Sequence, residues 1–141
     1  MSSGNAKRDN KDFYGAISDY TKAIELNPDS EGNSGFFYFR GFSKYVLGDN
    51  NGAIADFSKS IELKADFEKS YHFRGRAKSE IKDYIGAFND ICKAIELNPN
   101  DDSYYSFRGL LLSIFNLDNT YLCEDYKKAC DLGNGDACKW Y

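Results

Sequence analysis

At 141 residues the chain has the length of one compact unit, and its 11 Tyr and 11 Phe supply ample area for packing. A formal net charge of −4 excludes attraction of nucleic acid or an anionic membrane by bulk charge. No apolar run approaches the ~18 residues of a membrane span, the start lacks the apolar core of a secretory signal, and no Asn-x-Ser/Thr acceptor occurs, so a cytoplasmic location is expected.

Apolar residues recur at three- and four-residue intervals, the spacing of one helical face. In chain order the predicted helices cover 2–10, 13–26, 34–47, 50–63, 68–81, 84–97, 102–116 and 119–132. The face Ala16, Ile17, Tyr20, Ala23, Ile24 in the second of these returns as Ala53, Ile54, Phe57, Ser60, Ile61 and as Ala87, Phe88, Ile91, Ala94, Ile95. A last copy runs Leu122, Cys123, Tyr126, Ala129, Cys130. Pro28 and Pro99 end the helices before them, because proline disfavours helix in the preceding residue. Gly48-Asp49 and Lys82-Asp83 mark tight turns, and Gly133 can cap the last long helix before a short closing one that ends in Trp140 and Tyr141.

Phe37-Tyr-Phe-Arg-Gly41 recurs as Tyr71-His-Phe-Arg-Gly75 and Tyr105-Ser-Phe-Arg-Gly109, and both offsets are 34 residues (41 to 75, 75 to 109). A period of 34 that holds two helices implies an all-α stack of helix pairs rather than one closed core. The expected organisation is a partial repeat at 1–30, an insertion at 31–33, repeats at 34–67, 68–101 and 102–134, and a closing helix at 135–141.

These columns resemble the tetratricopeptide repeat. The matching positions are the glycines Gly4, Gly41, Gly75 and Gly109, the leading aromatics Phe37, Tyr71 and Tyr105, and the alanines Ala16, Ala53 and Ala87. The aromatics Tyr20, Phe57 and Tyr126, the second alanines Ala23, Ala94 and Ala129, and the closing prolines Pro28 and Pro99 complete the pattern. The resemblance implies a right-handed solenoid of antiparallel helix pairs whose first helices line a concave groove. Two departures stand out. Arg40, Arg74 and Arg108 replace the usual leucine before the glycine, and Lys7, Lys44 and Lys78 replace the tyrosine after it.

Asp19, Asp56, Asp90 and Asp125 form an acidic column, one per repeat, that can answer these cations. Pairing within repeats joins Asp56 to Arg40, Asp90 to Arg74 and Asp125 to Arg108. Pairing between repeats joins Asp19 to Arg40, Asp56 to Arg74 and Asp90 to Arg108. Arg40 lies beside Phe36 and Leu47 on the helical wheel, which favours pairing between repeats. The rival role for the arginines is binding an acidic ligand. Lys22/Glu25, Lys59/Glu62, Lys93/Glu96 and Lys128/Asp131 are i, i+3 pairs expected on a solvated outer face.

The wheel face opposite the repeat core carries Tyr38, Phe42 and Tyr45, then Lys69, His72, Arg76 and Glu80, then Ser106, Leu110 and Ser113, with Phe39, Phe73 and Phe107 at its edge. An exposed aromatic patch beside positive charge suits a peptide with apolar and acidic residues. The candidate peptide-binding residues are Tyr38, Phe39, Phe42, Tyr45, Lys69, His72, Phe73, Arg76 and Leu110. Chaperone-binding members of the family grip a terminal carboxylate with Lys, Asn, Asn, Lys and Arg. Those places here hold Met1, Asn5, Phe39, Lys69 and Phe73, so recognition of a chaperone tail is not expected.

No G-x-S-x-G, phosphate-cradling glycine loop or H-E-x-x-H is present, so no enzyme, metal site or cofactor is expected. Cys92, Cys123, Cys130 and Cys138 form no C-x-x-C pair and are expected to be buried free thiols, with a Cys130–Cys138 bridge the alternative. The expected function is a protein–protein interaction scaffold or adaptor that binds a peptide in the groove. The alternative is a structural or self-assembling module that forms homo-oligomers through its terminal repeats.

Overall fold

The computed structural model describes residues 12–114. Within them run six helices: α1 (Phe13–Leu26), α2 (Ser34–Val46), α3 (Asn50–Leu63), α4 (Glu68–Glu80), α5 (Tyr84–Leu97) and α6 (Asp102–Ile114). Their limits follow the predicted ones to within a residue or two. The expected helices over 2–10, 119–132 and 135–141 lie outside the described residues. Each helix packs on its neighbour in sequence, and α2 also meets α4. This is a stack in which every pair touches mainly the next pair, as a 34-residue period demands.

Local chemistry sets the ends of these helices. Asp12, Asp49 and Asp83 cap α1, α3 and α5 by accepting a hydrogen bond from the third backbone N–H of each, at 2.9–3.0 Å. At the ends of α2 and α4 the chain closes with a paired 6→1 and 5→2 bond. Asp49 N–H donates to Lys44 O and Gly48 N–H to Tyr45 O; Asp83 N–H donates to Lys78 O and Lys82 N–H to Ser79 O. Such an ending requires a left-handed residue, which is Gly48 (φ 88°) in one turn and Lys82 (φ 66°) in the other. The extra residues between α1 and α2 form a 3-10 turn at Glu31–Asn33, where Ser30 accepts from Gly32 N–H and the buried Asn33 side chain donates to Asn27 O.

The core follows the repeated columns. Ala16, Ala53 and Ala87 are fully buried, as are Tyr20, Phe57 and Ile91 one turn later. Small residues in the first column let the second helix of each pair lie close against its neighbours, while the large ones fill the space beyond. Ser60, which replaces the second alanine, is buried and shares a 2.7 Å hydroxyl bond with buried Ser70 of the following helix. Cys92 is buried in α5, but it is disulfide-bonded rather than the free thiol expected. Pairing depends on proximity in space, which the spacing of cysteines along the chain does not report. Among the described residues no helix is long and apolar enough to cross a membrane.

The two turns provide an internal comparison. A lysine held at positive φ is strained where glycine is not. Lys82→Gly is therefore expected to stabilise the fold by about 0.5–1 kcal/mol, read as a higher urea midpoint with unchanged slope.

Candidate functional site

The first helix of each pair crosses the second at its glycine. A Cβ on Gly41 would lie 3.0 Å from the Phe57 ring and 3.1 Å from Asp56 Cβ; one on Gly75 would lie 3.1 Å from Ala87 O and 3.2 Å from Asp90 Cβ. Because the backbones meet here, the arginine before each glycine sits directly over the aspartate of its own repeat. Arg40 donates from Nε and Nη2 to both oxygens of Asp56 at 2.8 and 2.7 Å, and Arg74 does the same to Asp90 at 2.9 and 2.7 Å. Lys44 and Lys78 add a second cation to each carboxylate at 3.1 Å. The like charges at i, i+4 are thus reconciled by one nearly buried anion between them.

The pairing is therefore within repeats, and the expected pairing between repeats is corrected. Toward the preceding repeat Arg40 donates to Thr21 Oγ1 at 3.2 Å and Arg74 to Ser58 Oγ at 3.3 Å, and the Glu25 charge adds a weaker attraction at Arg40. The glycine crossing brings the intra-repeat aspartate nearer than any wheel could show. It also occupies both forks, so Arg40 and Arg74 are not groove ligands. The Asp56 bond raises the Arg40 pKa; at Arg74 burial opposes the charge, and the Asp90 bond prevails to raise it. On the outer face Lys59 meets Glu62 at 3.5 Å and Lys93 meets Glu96 at 3.6 Å, as expected of solvated pairs.

The candidate peptide-binding residues divide into three groups. Tyr38 is only 8% exposed and belongs to the core between repeats, its ring 5.1 Å from Phe39 and Phe67 and 6.0–6.1 Å from Phe57 and Phe73. His72 is 5% exposed, wedged against Phe73, Tyr104 and Phe107 at 4.7–5.9 Å. Phe39, Phe42, Tyr45 and Phe73 are half-buried: Phe39 stacks on Tyr20, while Phe42 bridges Phe13 and Phe73, and Tyr45 also meets Phe73. Lys69 and Leu110 (57%) are exposed, and Arg76 is partly exposed with its guanidinium 5.4 Å from the Phe107 ring.

The expected exposed aromatic patch is thus mostly a seam between repeats. The wheel of α2 counted the face toward α3 but not the rings of α4 that descend on the other side. What remains open is a rim of half-buried rings beside Lys69, Arg76 and Leu110. Among the described residues no group of three His, Cys, Asp or Glu is placed to hold a metal ion.

A tetratricopeptide-repeat family model matches residues 1–30 and 68–101. The chain carries tetratricopeptide repeats at those residues and has the tetratricopeptide fold. Among solved structures, its fold is similar to the tetratricopeptide domain of Arabidopsis OM64 (26% identity, 79% of this chain and 90% of that one, TM-score 0.76). It is similar also to MamA (27% identity, 96% and 77%, TM-score 0.77). A third match is the myosin chaperone UNC-45 from C. elegans, solved in complex with a Hsp90 peptide (25% identity, 93% of this chain but 15% of that one, TM-score 0.76). No curated protein matches the sequence.

In this tetratricopeptide array His72 is the single histidine. Burial, reinforced by the Arg76 charge and opposed by Asp101, pushes its pKa from 6.5 down to about 4. Folding therefore favours the neutral ring. As pH falls from 6.5 toward 4 the unfolded chain takes up a proton that the folded chain refuses, and roughly 3 kcal/mol of stability is lost across that window. Urea unfolding at pH 7 and pH 4.5 should show a loss about 2 kcal/mol smaller in His72→Phe than in the parent. At the crossing, Asp56→Asn leaves two cations without their anion and is expected to destabilise by about 2–3 kcal/mol at pH 7. Lys59→Gln, on the outer face, should change stability by less than about 0.5 kcal/mol in the same assay.

Proposed function

We propose that this chain is a non-catalytic interaction scaffold whose first-helix face takes a peptide segment carrying apolar and acidic residues. The observation that carries this reading is a break in periodicity. Arg40 and Arg74, which recur with the repeat, are answered by aspartates, whereas Lys69 and Arg76 do not recur. The place of Lys69 holds Gly35 and Ser103 in the flanking repeats, and the place of Arg76 holds Phe42 and Leu110. Both cations lie on one line of α4, seven residues apart, beside the half-buried rings of Phe42 and Phe73. A cation that serves no repeated structural role, next to accessible aromatic area, is the composition of a contact surface.

The likeness to a tetratricopeptide structure solved with a Hsp90 peptide supports the peptide class of ligand. The residues argue against the same end-on grip. Phe39 and Phe73 stand where a carboxylate clamp needs polar groups, and both are committed to ring packing. The segment recognised here is accordingly read along its length, through side chains, rather than by a free C-terminus.

Selection from a random displayed peptide library tests this. Enriched peptides should combine acidic and apolar residues without a fixed C-terminal position. Lys69→Glu should weaken them about five- to tenfold with unchanged helical circular dichroism. An unenriched library, together with a stable dimer in light scattering, would replace this reading with the self-assembling one.

A further inference from the structure

Two columns of the repeat lose their apolar character at one place. One column of the first helices, 34 residues apart, holds Val46 in α2 and Ile114 in α6, but Glu80 in α4. The first residue of the second helix is Phe13 in α1 and Tyr84 in α5, but Asn50 in α3. These exceptions lie far apart in sequence, yet the fold sets them in one cleft. Glu80 and Asn50 line a space of about 230 Å³ together with Tyr45, Val46 and Gly48.

Neither exception serves the helices that carry it. Glu80 is exposed and makes no ion pair among the described residues. It sits in the last turn of α4, where a negative charge opposes the helix dipole. Lys78, two residues earlier, is already held by Asp90 at 3.1 Å. Asn50 Oδ1 is buried without a hydrogen-bond partner, a state that destabilises unless something donates to it. Hence one wall presents a free carboxylate beside Asn50, and the other an aliphatic side chain and a phenol ring.

We propose that this cleft is a subsite for one basic side chain, lysine or arginine, of a bound polypeptide. The aliphatic stem lies along Val46 and the Tyr45 ring, and the charged head donates to the Glu80 carboxylate. The volume is below the ~300 Å³ of ligand pockets and suits a single side chain. An acidic side chain is repelled by Glu80, and a purely apolar one leaves its carboxylate unanswered.

The subsite also deepens the groove reading, on which this extension rests. Lys69, Arg76 and Glu80 fall on one line of α4. Eleven residues separate Lys69 from Glu80, about 16 Å at 1.5 Å per residue. An extended chain covers that span in about five residues at ~3.3 Å each. A segment whose acidic residue meets Lys69 therefore carries it about five positions from its basic one.

The subsite is tested without any partner. The probe is N-acetyl-arginine amide, titrated at millimolar concentration into ¹⁵N-labelled protein, with N-acetyl-norleucine amide as the control. Saturable shifts are expected at the amides of Val46, Gly48, Asn50 and Glu80 with the arginine probe alone. Glu80→Gln, a surface change, should weaken them about three- to fivefold, and added salt should do the same. Shifts that are absent, equal for both probes or indifferent to Glu80→Gln would overturn the subsite. That failure leaves the groove reading intact, whereas an unenriched peptide library with a responsive cleft removes the groove reading alone.

Discussion

Everything in this stack depends on how closely the two helices of a repeat can approach at Gly41 and Gly75. A methyl group at either position would meet backbone or ring atoms at about 3.0–3.1 Å. With no side chain there, the arginine one residue earlier and the lysine three residues later are both brought onto the aspartate of the opposing helix. The contact is short, bidentate and shielded, so it fixes the relative rotation of the two helices as well as their distance. An apolar pair at the same place would give area without a preferred angle. The charged triad is therefore a register device that recurs with the repeat, and net stability is not its main contribution.

Between repeats the bond is of another kind. Rings from three helices interleave: Tyr38 and Phe42 of α2, Phe57 of α3 and Phe73 of α4. Further along, His72, Tyr104 and Phe107 continue the seam between α4 and α6. Edge and tilted ring contacts tolerate small changes of angle better than a bidentate ion pair does. Each repeat is thus held within itself by a directional ion pair and joined to the next by a broader contact of rings. The seam includes His72, whose neutral state is a condition of the packing around it.

Most of the fold was legible from the 34-residue period, because a helix limit depends on local chemistry that the sequence displays. Asp49 and Asp83 announce the caps, and the glycine and alanine columns announce the contacts. The direction of the arginine pairing was not legible, since both choices obey the same spacing and only the crossing distance separates them. Tyr38 and His72 were misplaced for a related reason. A wheel describes one helix against one core, whereas a residue in a stack has a second neighbour one period later. Of the candidate site, Lys69, Arg76 and Leu110 proved accessible, and Phe39, Phe42, Tyr45 and Phe73 partly so. Asn50 escaped notice because a polar residue beside a turn looks ordinary until its column is compared with Phe13 and Tyr84.

That comparison separates structure from use in a repetitive chain. A residue type that returns every period is subject to the same geometric demand each time, and a structural partner can be sought for it. Arg40 and Arg74 meet this test, each with an aspartate 16 residues on. A polar residue that interrupts an apolar column has no repeated partner to answer it. In the described stack such interruptions gather on the open line of α4 and at the turn that faces its end. A cation toward one end of that line and a carboxylate at the other give the surface a direction. An array of like units acquires an orientation for what it binds only through the places where the units differ.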